Sequence, residues 1–388
     1  MSATALRVSL DVTAVPDNPA GAGRYTLELA DALARRADID LVLFARRGDP
    51  ARWTGLGGEA ENGPPTVIAA APGPRPLRLA WEQVRLARLV ARQQRAVHHS
   101  PHYTMPERAR CPVVVTVHDC TFFDHPEWHE HSKVRFFRRA IEVAARRAAV
   151  IVCPSATTAE RLAEICVPKG PVVVVPHGVD HRVFTPTESS PGADRAEVAR
   201  AGVDPDRPFV LFLGTVEPRK DVPTLVRAFA RLPASQREAV LVVAGRAGWG
   251  SAEREVERAA AASGLGDRLV RTGYVADAAV PALLRTATAV GYPSIEEGYG
   301  LPALEALACG APLVTTAGTA MAELSGGAAL LVAPGDVAAL ADALGALLEG
   351  RGSAEEAERR RLGLAAAAGR TWEESAARHL DAYRLAVH

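Results

Sequence analysis

The chain is predicted to be an α/β protein built from two doubly wound, Rossmann-like parallel-sheet domains. Three observations predict this. Short apolar runs alternate with segments of helical period, which is the pattern of βαβ units. The alternation stops over residues 185–207, a polar stretch holding three prolines, and then restarts. Finally, 388 residues exceed what one core of ordinary size accommodates.

In chain order, Leu6–Asp11 reads as a strand. A Pro/Asn/Gly loop follows, then Gly21-Ala22-Gly23-Arg24 and a helix from Tyr25 to Arg36. Leu41–Ala45 and Thr66–Ala70 read as strands, separated by a Gly/Pro-rich loop. Leu77–Arg95 reads as one helix with apolar residues among arginines. Ala96–His99 and Pro112–Val117 are strands, Val134–Ala148 a helix and Ala149–Cys153 a strand. Ser155 is placed to cap a helix through Ile165, and Pro171–Val175 is a strand. After the polar stretch come strand Phe209–Gly214, helix Val222–Arg231, strand Ala239–Gly245, helix Ala252–Ser263, strand Leu269–Val275 and helix Ala278–Thr286. Ala289–Pro293, Leu313–Thr316 and Leu330–Ala333 read as strands. Leu301–Ala308, Val337–Leu348, Glu355–Ala368 and Thr371–Val387 read as helices. The last begins with Thr371 and Glu374 in capping-box spacing. This reading divides the chain into an N-terminal domain at 1–185, a linker at 186–207 with a short helix in it, a C-terminal domain at 208–370 and a terminal helix at 371–388.

Net charge is zero, so nucleic acid is not indicated as a partner. Residues 1–185 carry 24 Lys+Arg against 19 Asp+Glu, and the remainder 21 against 26, an asymmetry that favours an anionic partner on the first half. Five cysteines in odd number, with no C-x-x-C, suit reduced thiols in a cytoplasmic protein. The first residues show no apolar leader pattern, and no apolar run reaches the ~20 residues of a membrane span. Leu77–Arg95 and residues 132–139 pair apolar residues with arginine. That suits peripheral contact with anionic lipid as well as a sheet-covering helix with an arginine-rich solvent face, and the second reading is preferred.

Four segments carry chemistry, each at the carboxyl end of an expected strand, where ligands of such sheets bind. Gly21-Ala22-Gly23 permits close backbone approach at a helix start, without completing G-x-G-x-x-G. An ordinary turn fits it equally. His118-Asp119 follows the strand VVVTV and leads into TFFDHPEWHEH. That aromatic, His-rich run suits a carbohydrate-contacting loop, and a His hydrogen-bonded to backbone in a buried loop is the alternative reading of His118. A metal site at His125, His129 and His131 with Asp124 and Glu130 is the weaker reading, because the spacing is not a helical H-x-x-x-H with its Glu. Gly214-Thr215-Val216-Glu217-Pro218-Arg219-Lys220 sets two cations at a strand-to-helix junction, suited to a diphosphate. Only three of the 45 basic residues are lysine, so Lys220 in this turn suggests a site that wants a compact ammonium. Glu297 and Glu305 flank the turn Gly298-Tyr299-Gly300 and the start of a helix at Leu301. Carboxylates and helix N–H groups in that arrangement suit a polyhydroxylated ligand. Glu305 lies in an otherwise apolar helix and needs a partner, for which ribose hydroxyls are suitable.

Together these segments resemble glycosyltransferase family 4, the retaining enzymes of the GT-B fold, over nearly the whole chain. The resemblance is carried by GAGRYTLEL, TVHDCTFFDHPEW, VPHGVD at 175–180, GTVEPRKDVPTLVRAF, GYVAD at 273–277 and SIEEGYGLPALEALACGAPLV. The first two look most like bacterial enzymes that transfer mannose or a similar hexose. The resemblance implies two domains facing across a cleft that closes on the donor, with the terminal helix around Trp372 packing back on the N-terminal domain. It places Gly23 near the donor phosphates and His118, with Asp119 beside it, at the transferred sugar. It implies that Gly214, Arg219 and Lys220 lie at the diphosphate and that Tyr274 and Val275 lie near the base. Glu297 with Gly298, Tyr299, Gly300 and Leu301 would hold the donor sugar, and Glu305 the ribose. Tyr299 stands where Phe is commoner, and the first loop lacks the Gly-Gly pair of many relatives.

The implied reaction transfers a hexose, mannose from GDP-mannose, to a hydroxyl of a glycan, lipid-linked or small-molecule acceptor. Retention and a front-face mechanism are implied with it, and no cofactor or metal is. Alternatives are another donor (UDP-glucose, UDP-GlcNAc or a dTDP-sugar), an epimerase or phosphorylase on the same fold, a paired-dinucleotide dehydrogenase, or a nucleotide-sugar-binding protein without turnover.

Overall fold

The computed structural model describes residues 5–58, 63–248 and 251–388. The chain divides into two compact units. One comprises residues up to Gly178 together with Trp372–His388, and the other Val179–Thr371.

The first unit holds strands β1 (Leu6–Asp11), β2 (Ile39–Arg46), β3 (Thr66–Ala71), β4 (Val97–Ser100), β5 (Val113–Thr116), β6 (Val150–Cys153) and β7 (Val172–Val174). They form one sheet in the order β3-β2-β1-β4-β5-β6-β7, with every pair parallel. The inner strands β4, β5 and β6 are buried on both faces, as parallel sheets require, while the edge strands β3 and β7 are only partly covered. Helix α1 (Ala22–Ala34) follows β1. Between β3 and β4 the expected single helix is three pieces: α2 (Arg75–Trp81), a π-helical turn over Glu82–Leu86 and α3 (Ala87–Arg92). Trp81, Leu86 and Val90 still pack on Val42, Phe44 and Ala71 of the sheet, so the apolar period was read correctly and the wider turn within it was not. Next come α4 (Thr121–Asp124), α5 (His131–Arg147) and α6 (Ala156–Ile165). Ser155 caps α6, its Oγ accepting the Thr158 N–H at 3.1 Å.

The second unit begins before its sheet, with α7 (Ala193–Arg200). Residues 186–207, expected as a linker, belong to this unit. The carboxylate of Asp194 on α7 takes a two-point ion pair from Arg285, at 2.6 Å on each oxygen, and both residues are largely buried. That buried pair overrides the polar composition. The unit continues through β8 (Phe209–Leu213), α8 (Val222–Ala230), β9 (Val240–Ala244), α9 (Ala252–Ser263), β10 (Leu269–Gly273), α10 (Ala279–Thr286) and β11 (Ala289–Tyr292). It then runs through α11 (Leu301–Ala308), β12 (Leu313–Thr316), α12 (Ala320–Ser325, not expected), β13 (Leu330–Val332), α13 (Val337–Glu349) and α14 (Ala354–Ala368). The sheet order is β10-β9-β8-β11-β12-β13, again all parallel. The last helix, α15 (Trp372–Val387), belongs to the first unit and lies beside α1 and strands β4 to β6.

In each sheet the strand order reverses once, between β1 and β4 and between β8 and β11. Loops leaving the carboxyl ends of those neighbours diverge and open a crevice.

Candidate functional site

In the second unit the Arg-Lys turn leaves β8 and the Glu297 turn leaves β11, so both stand at the reversal point. The backbone joins them: the Ile295 N–H donates to the Arg219 carbonyl at 2.7 Å. Arg219 Nε donates to Glu217 Oε2 at 2.7 Å, and its Nη1 pairs with Glu297 Oε2. Arg219 and Glu297, each expected at the site from the sequence, are therefore partners of one another. Glycines let the strand ends close up. Gly214 has φ +148°, and a Cβ on it would stand 2.8 Å from Lys220 Nζ. Gly245, after β9, has φ +138°, and a Cβ there would come within 2.2 Å of the Gly214 carbonyl oxygen.

Lys220 is only 8% exposed. Burial holds its ammonium pKa below the ordinary lysine value, and the charges of Glu217 and Glu297 work in the opposite direction. Among the described residues the ammonium makes no hydrogen bond and no ion pair. Glu217 and Glu297 offset part of the cost of a buried cation there, and an arriving anion would offset more.

Helix α11 starts beyond Gly300, with Leu301 as its first residue and Pro302 its second. Glu305, one turn in, is 5% exposed. Burial, then the charges of Glu305 and Glu297, push the Tyr292 hydroxyl pKa well above its usual value. Among the described residues that hydroxyl is buried without a hydrogen-bond partner. Tyr299 is buried between Gly298 and Gly300. Val275 is buried, whereas Tyr274 is 60% exposed, and the guanidinium of Arg246 lies 4.8 Å from its ring centroid. The Tyr274 hydroxyl donates to Asp277 at 3.2 Å.

In the first unit His118 stands just beyond β5 and is 8% exposed. Its Nε2–H donates to the Pro101 carbonyl at 2.7 Å, which leaves Nδ1 as the acceptor. Burial lowers its pKa, partly offset by that carbonyl and by Asp119. Tyr25, Tyr103 and His102 surround its ring at centroid distances of 5.1, 5.6 and 5.9 Å. Asp119 accepts from the N–H and hydroxyl of Thr121, at 3.2 and 2.8 Å, and so shapes the turn into α4. Gly23 is in the first turn of α1, and a Cβ on it would meet Pro16 and Pro19 at 3.0 and 3.3 Å. Packing of its own loop is thus reason enough for that glycine. Two of the other histidines after β5 are tied locally, and His131 is exposed at the start of α5. His125 stacks on Trp128 and bonds to Glu127, and His129 bonds to Thr121. Asp124 is taken by Arg161. No group of three metal-ligating side chains occurs among the described residues.

Sequence reasoning missed a buried chain of side chains beneath His118. His379 Nδ1–H donates to the Ser375 carbonyl at 2.7 Å, so its Nε2 must accept from the Tyr25 hydroxyl at 2.8 Å. The Tyr25 oxygen then accepts from Thr116 Oγ1 at 2.9 Å. Thr116 accepts from His99 Nε2 at 2.8 Å, and His99 Nδ1 accepts from the Tyr383 hydroxyl at 2.8 Å. Every proton in the chain is assigned once, with both imidazoles neutral. The chain fastens α15 to α1, β4 and β5, and Trp372 stacks on His177 beside it. The run HHSPH at 98–102 was the available signal.

Sequence and structure comparisons agree with this architecture. The family description "Glycosyltransferase Family 4" matches residues 19–183, and "Glycosyl transferases group 1" matches residues 194–366. The chain is 29% identical over 384 residues to O-antigen chain mannosyltransferase B of Escherichia coli, covering 94% of this chain and 96% of that protein. It is 38% identical over 220 residues to a D-inositol 3-phosphate glycosyltransferase of Xylanimonas cellulosilytica, covering 55% of this chain and 51% of that one. Among solved structures, sucrose-phosphate synthase from Thermosynechococcus elongatus superposes with a TM-score of 0.78 at 20% identity, covering 98% of each chain. HepE from Anabaena, in complex with UDP and glucose, gives 0.73 at 21% identity, over 97% of this chain and 100% of that one. These structures show the GT-B fold.

Proposed function

The chain belongs to glycosyltransferase family 4 and is a hexosyltransferase, and on that premise we propose that it moves mannose from GDP-mannose, with retention, to a hydroxyl of a glycan or lipid-linked acceptor. The observation that carries the donor half of this reading is the buried ammonium of Lys220 beside the Gly214 backbone, an ammonium that makes no hydrogen bond or ion pair among the described residues. In this reading Lys220 meets the diphosphate directly. Arg219, held by Glu217 and Glu297, keeps Glu297 oriented toward the sugar hydroxyls. Glu305 takes the ribose, and the exposed Tyr274 with Arg246 lies by the base. His118 offers Nδ1 as an acceptor to a hydroxyl of the transferred sugar. The ester bond from the anomeric carbon to the diphosphate breaks as the acceptor oxygen attacks from the same face, and the leaving phosphate oxygen takes the acceptor proton. Lys220 and Arg219 stabilise the charge that develops on that phosphate, and no metal or cofactor is needed in this scheme.

The mannose assignment is supported by the mannosyltransferase relative over nearly full length, and GDP as the carrier is part of the proposal that the donor panel tests. The UDP-bound neighbour favours the second reading, a UDP-sugar donor. No helix among the described residues is long and apolar enough to cross a membrane, and the proposed setting is cytoplasmic. The test is a thermal-shift and donor-hydrolysis panel over GDP-, UDP- and dTDP-sugars, with EDTA present, followed by linkage analysis of the product. GDP-mannose should give the largest shift and the fastest turnover. Full transfer activity in folded Lys220→Ala, or isomerised donor without acceptor, would refute the proposal.

A further inference from the structure

The Arg-Lys turn contains a group that a diphosphate does not call for. Glu217 precedes Pro218–Lys220, a 3-10 turn in which the Lys220 N–H donates to the Glu217 carbonyl at 3.0 Å. The Glu217 side chain is 9% exposed, and its charge, ahead of that of Glu297, acts on the buried Lys220 ammonium. A carboxylate there repels any phosphate that approaches the lysine, and its own burial is costly. Its retained contact is with Arg219, whose Nε donates to Glu217 Oε2 at 2.7 Å.

The same guanidinium reaches Glu297, its Nη1 pairing with Glu297 Oε2. A guanidinium is a rigid plane with its donors at fixed angles, so a carboxylate on Nε sets the direction in which Nη1 points. The other support of Glu297 is weaker. Ser294 Oγ stands 3.5 Å from Glu297 Oε1. Ser294 itself is fully buried, with its carbonyl held by the Thr316 hydroxyl from β12. The backbone of the Glu297 turn is thus fixed from β8 and β12, while the direction of its carboxylate is set by Arg219.

We propose that Glu217 is a positioning residue with two effects of opposite sign: through Arg219 it fixes Glu297 at the donor sugar, and its charge weakens the hold of Lys220 on the nucleotide diphosphate. Glu217 touches no substrate in this scheme. It gives up donor affinity for a fixed Glu297 and for easier release of the nucleotide product. The inference deepens the donor reading above and rests on it.

The test is isothermal titration with GDP together with sugar release from saturating GDP-mannose, or the same pair for whichever base the donor panel selects. Glu217→Gln keeps the size of the side chain and removes the charge. It should bind the nucleotide about threefold more tightly or better, yet lower kcat about tenfold or more. Glu217→Asp keeps the charge on a shorter arm. Its nucleotide Kd should stay within about twofold of wild type while kcat falls about fivefold. In an Arg219→Met background, adding Glu217→Gln should change kcat by less than about twofold, because the route to Glu297 is gone, and should still tighten nucleotide binding. A merely structural role would weaken nucleotide binding and slow turnover together. Wild-type kcat in Glu217→Gln or Glu217→Asp, nucleotide binding weaker than wild type in Glu217→Gln, or a tenfold kcat loss that persists beside Arg219→Met each overturn the proposal. Failure of the donor reading would instead show in the wild type, as no binding of any nucleotide diphosphate.

Discussion

Thr116 is the middle of the buried chain from His379 to Tyr383, and its replacement by valine tests the proton order assigned there. Valine keeps the shape and the β-propensity of the strand position but removes both hydrogen bonds of the hydroxyl. A neutral bond is worth about 1 kcal/mol, and a buried group left unpaired costs about 1–3 kcal/mol. Thr116→Val orphans the His99 N–H and removes the donor to the Tyr25 oxygen, so a loss of roughly 2–4 kcal/mol is expected. Tyr383→Phe breaks only the terminal bond to His99 and should cost about half as much. For a unit of this size the larger loss corresponds to a fall in melting temperature of roughly 5–15 °C. Tryptophan fluorescence in urea is the assay, since Trp53, Trp81, Trp128 and Trp372 all lie in the first unit. Combined with Tyr25→Phe, the valine variant should be clearly less than additive, because the two share a bond. A Thr116→Val loss below about 0.5 kcal/mol, or a Tyr383→Phe loss larger than that of Thr116→Val, would refute the assigned chain.

Further expectations concern pH and the strand-end glycines. Buried His98, His102 and His379 have pKa values lowered to about 3, 3 and 4, with burial the leading cause. The unfolded chain therefore binds more protons than the folded one below pH 6.5, and stability of the first unit should fall as pH drops from there toward 4. Glu82 acts in the opposite direction. Burial, then Asp11, raise its pKa to about 8, with Glu107 adding and Thr104 and Arg78 subtracting. The folded state holds a proton the unfolded chain has released, so this group's contribution is lost as pH rises from about 4.5 toward 8. Chemical denaturation across pH 4–9 should show a stability maximum near pH 7, where the proton uptake of the three unfolded histidines falls to match the one proton held by Glu82, and Glu82→Gln should flatten only the alkaline side. Gly245→Ala should destabilise the second unit by more than about 2 kcal/mol, because its methyl collides with the Gly214 carbonyl at a φ that L-residues avoid. Circular dichroism on heating would reveal it, and a wild-type melting curve would contradict the close approach. Lys220→Ala should lower kcat/KM at least a hundredfold, the scale of removing one group that stabilises developing charge. An unchanged steady-state rate would remove Lys220 from the site.

How much of this was legible follows from the range of the interactions involved. Strand β1 and helices α9 and α11 were read to the residue, because apolar period and Gly/Pro punctuation are local signals. Glu82 escaped notice because a π-helical turn leaves the apolar period nearly intact while rotating one carboxyl inward. Asp194 was assigned to a linker by its polar neighbours, yet its partner Arg285 lies far along the chain. The Arg219–Glu297 pair was legible as two charged turns but not as one contact, since only the strand order sets β8 beside β11. Tyr25 and His379 are adjacent in space and nearly a whole chain apart, and no spacing rule links them.

The placement of α15 has a consequence for biosynthesis. The first unit needs Trp372–His388, and in particular His379 and Tyr383, to complete its hydrogen-bond chain. On a ribosome its sheet must therefore wait, with Tyr25, Thr116 and His99 unsatisfied, while the whole of the second unit is synthesised. At 5–20 residues per second that delay is about 10–40 s. A nascent chain stalled before residue 372 would carry a second unit able to close and a first unit still open to proteases and chaperones, so quality control can act on the amino-terminal half until the final helix emerges.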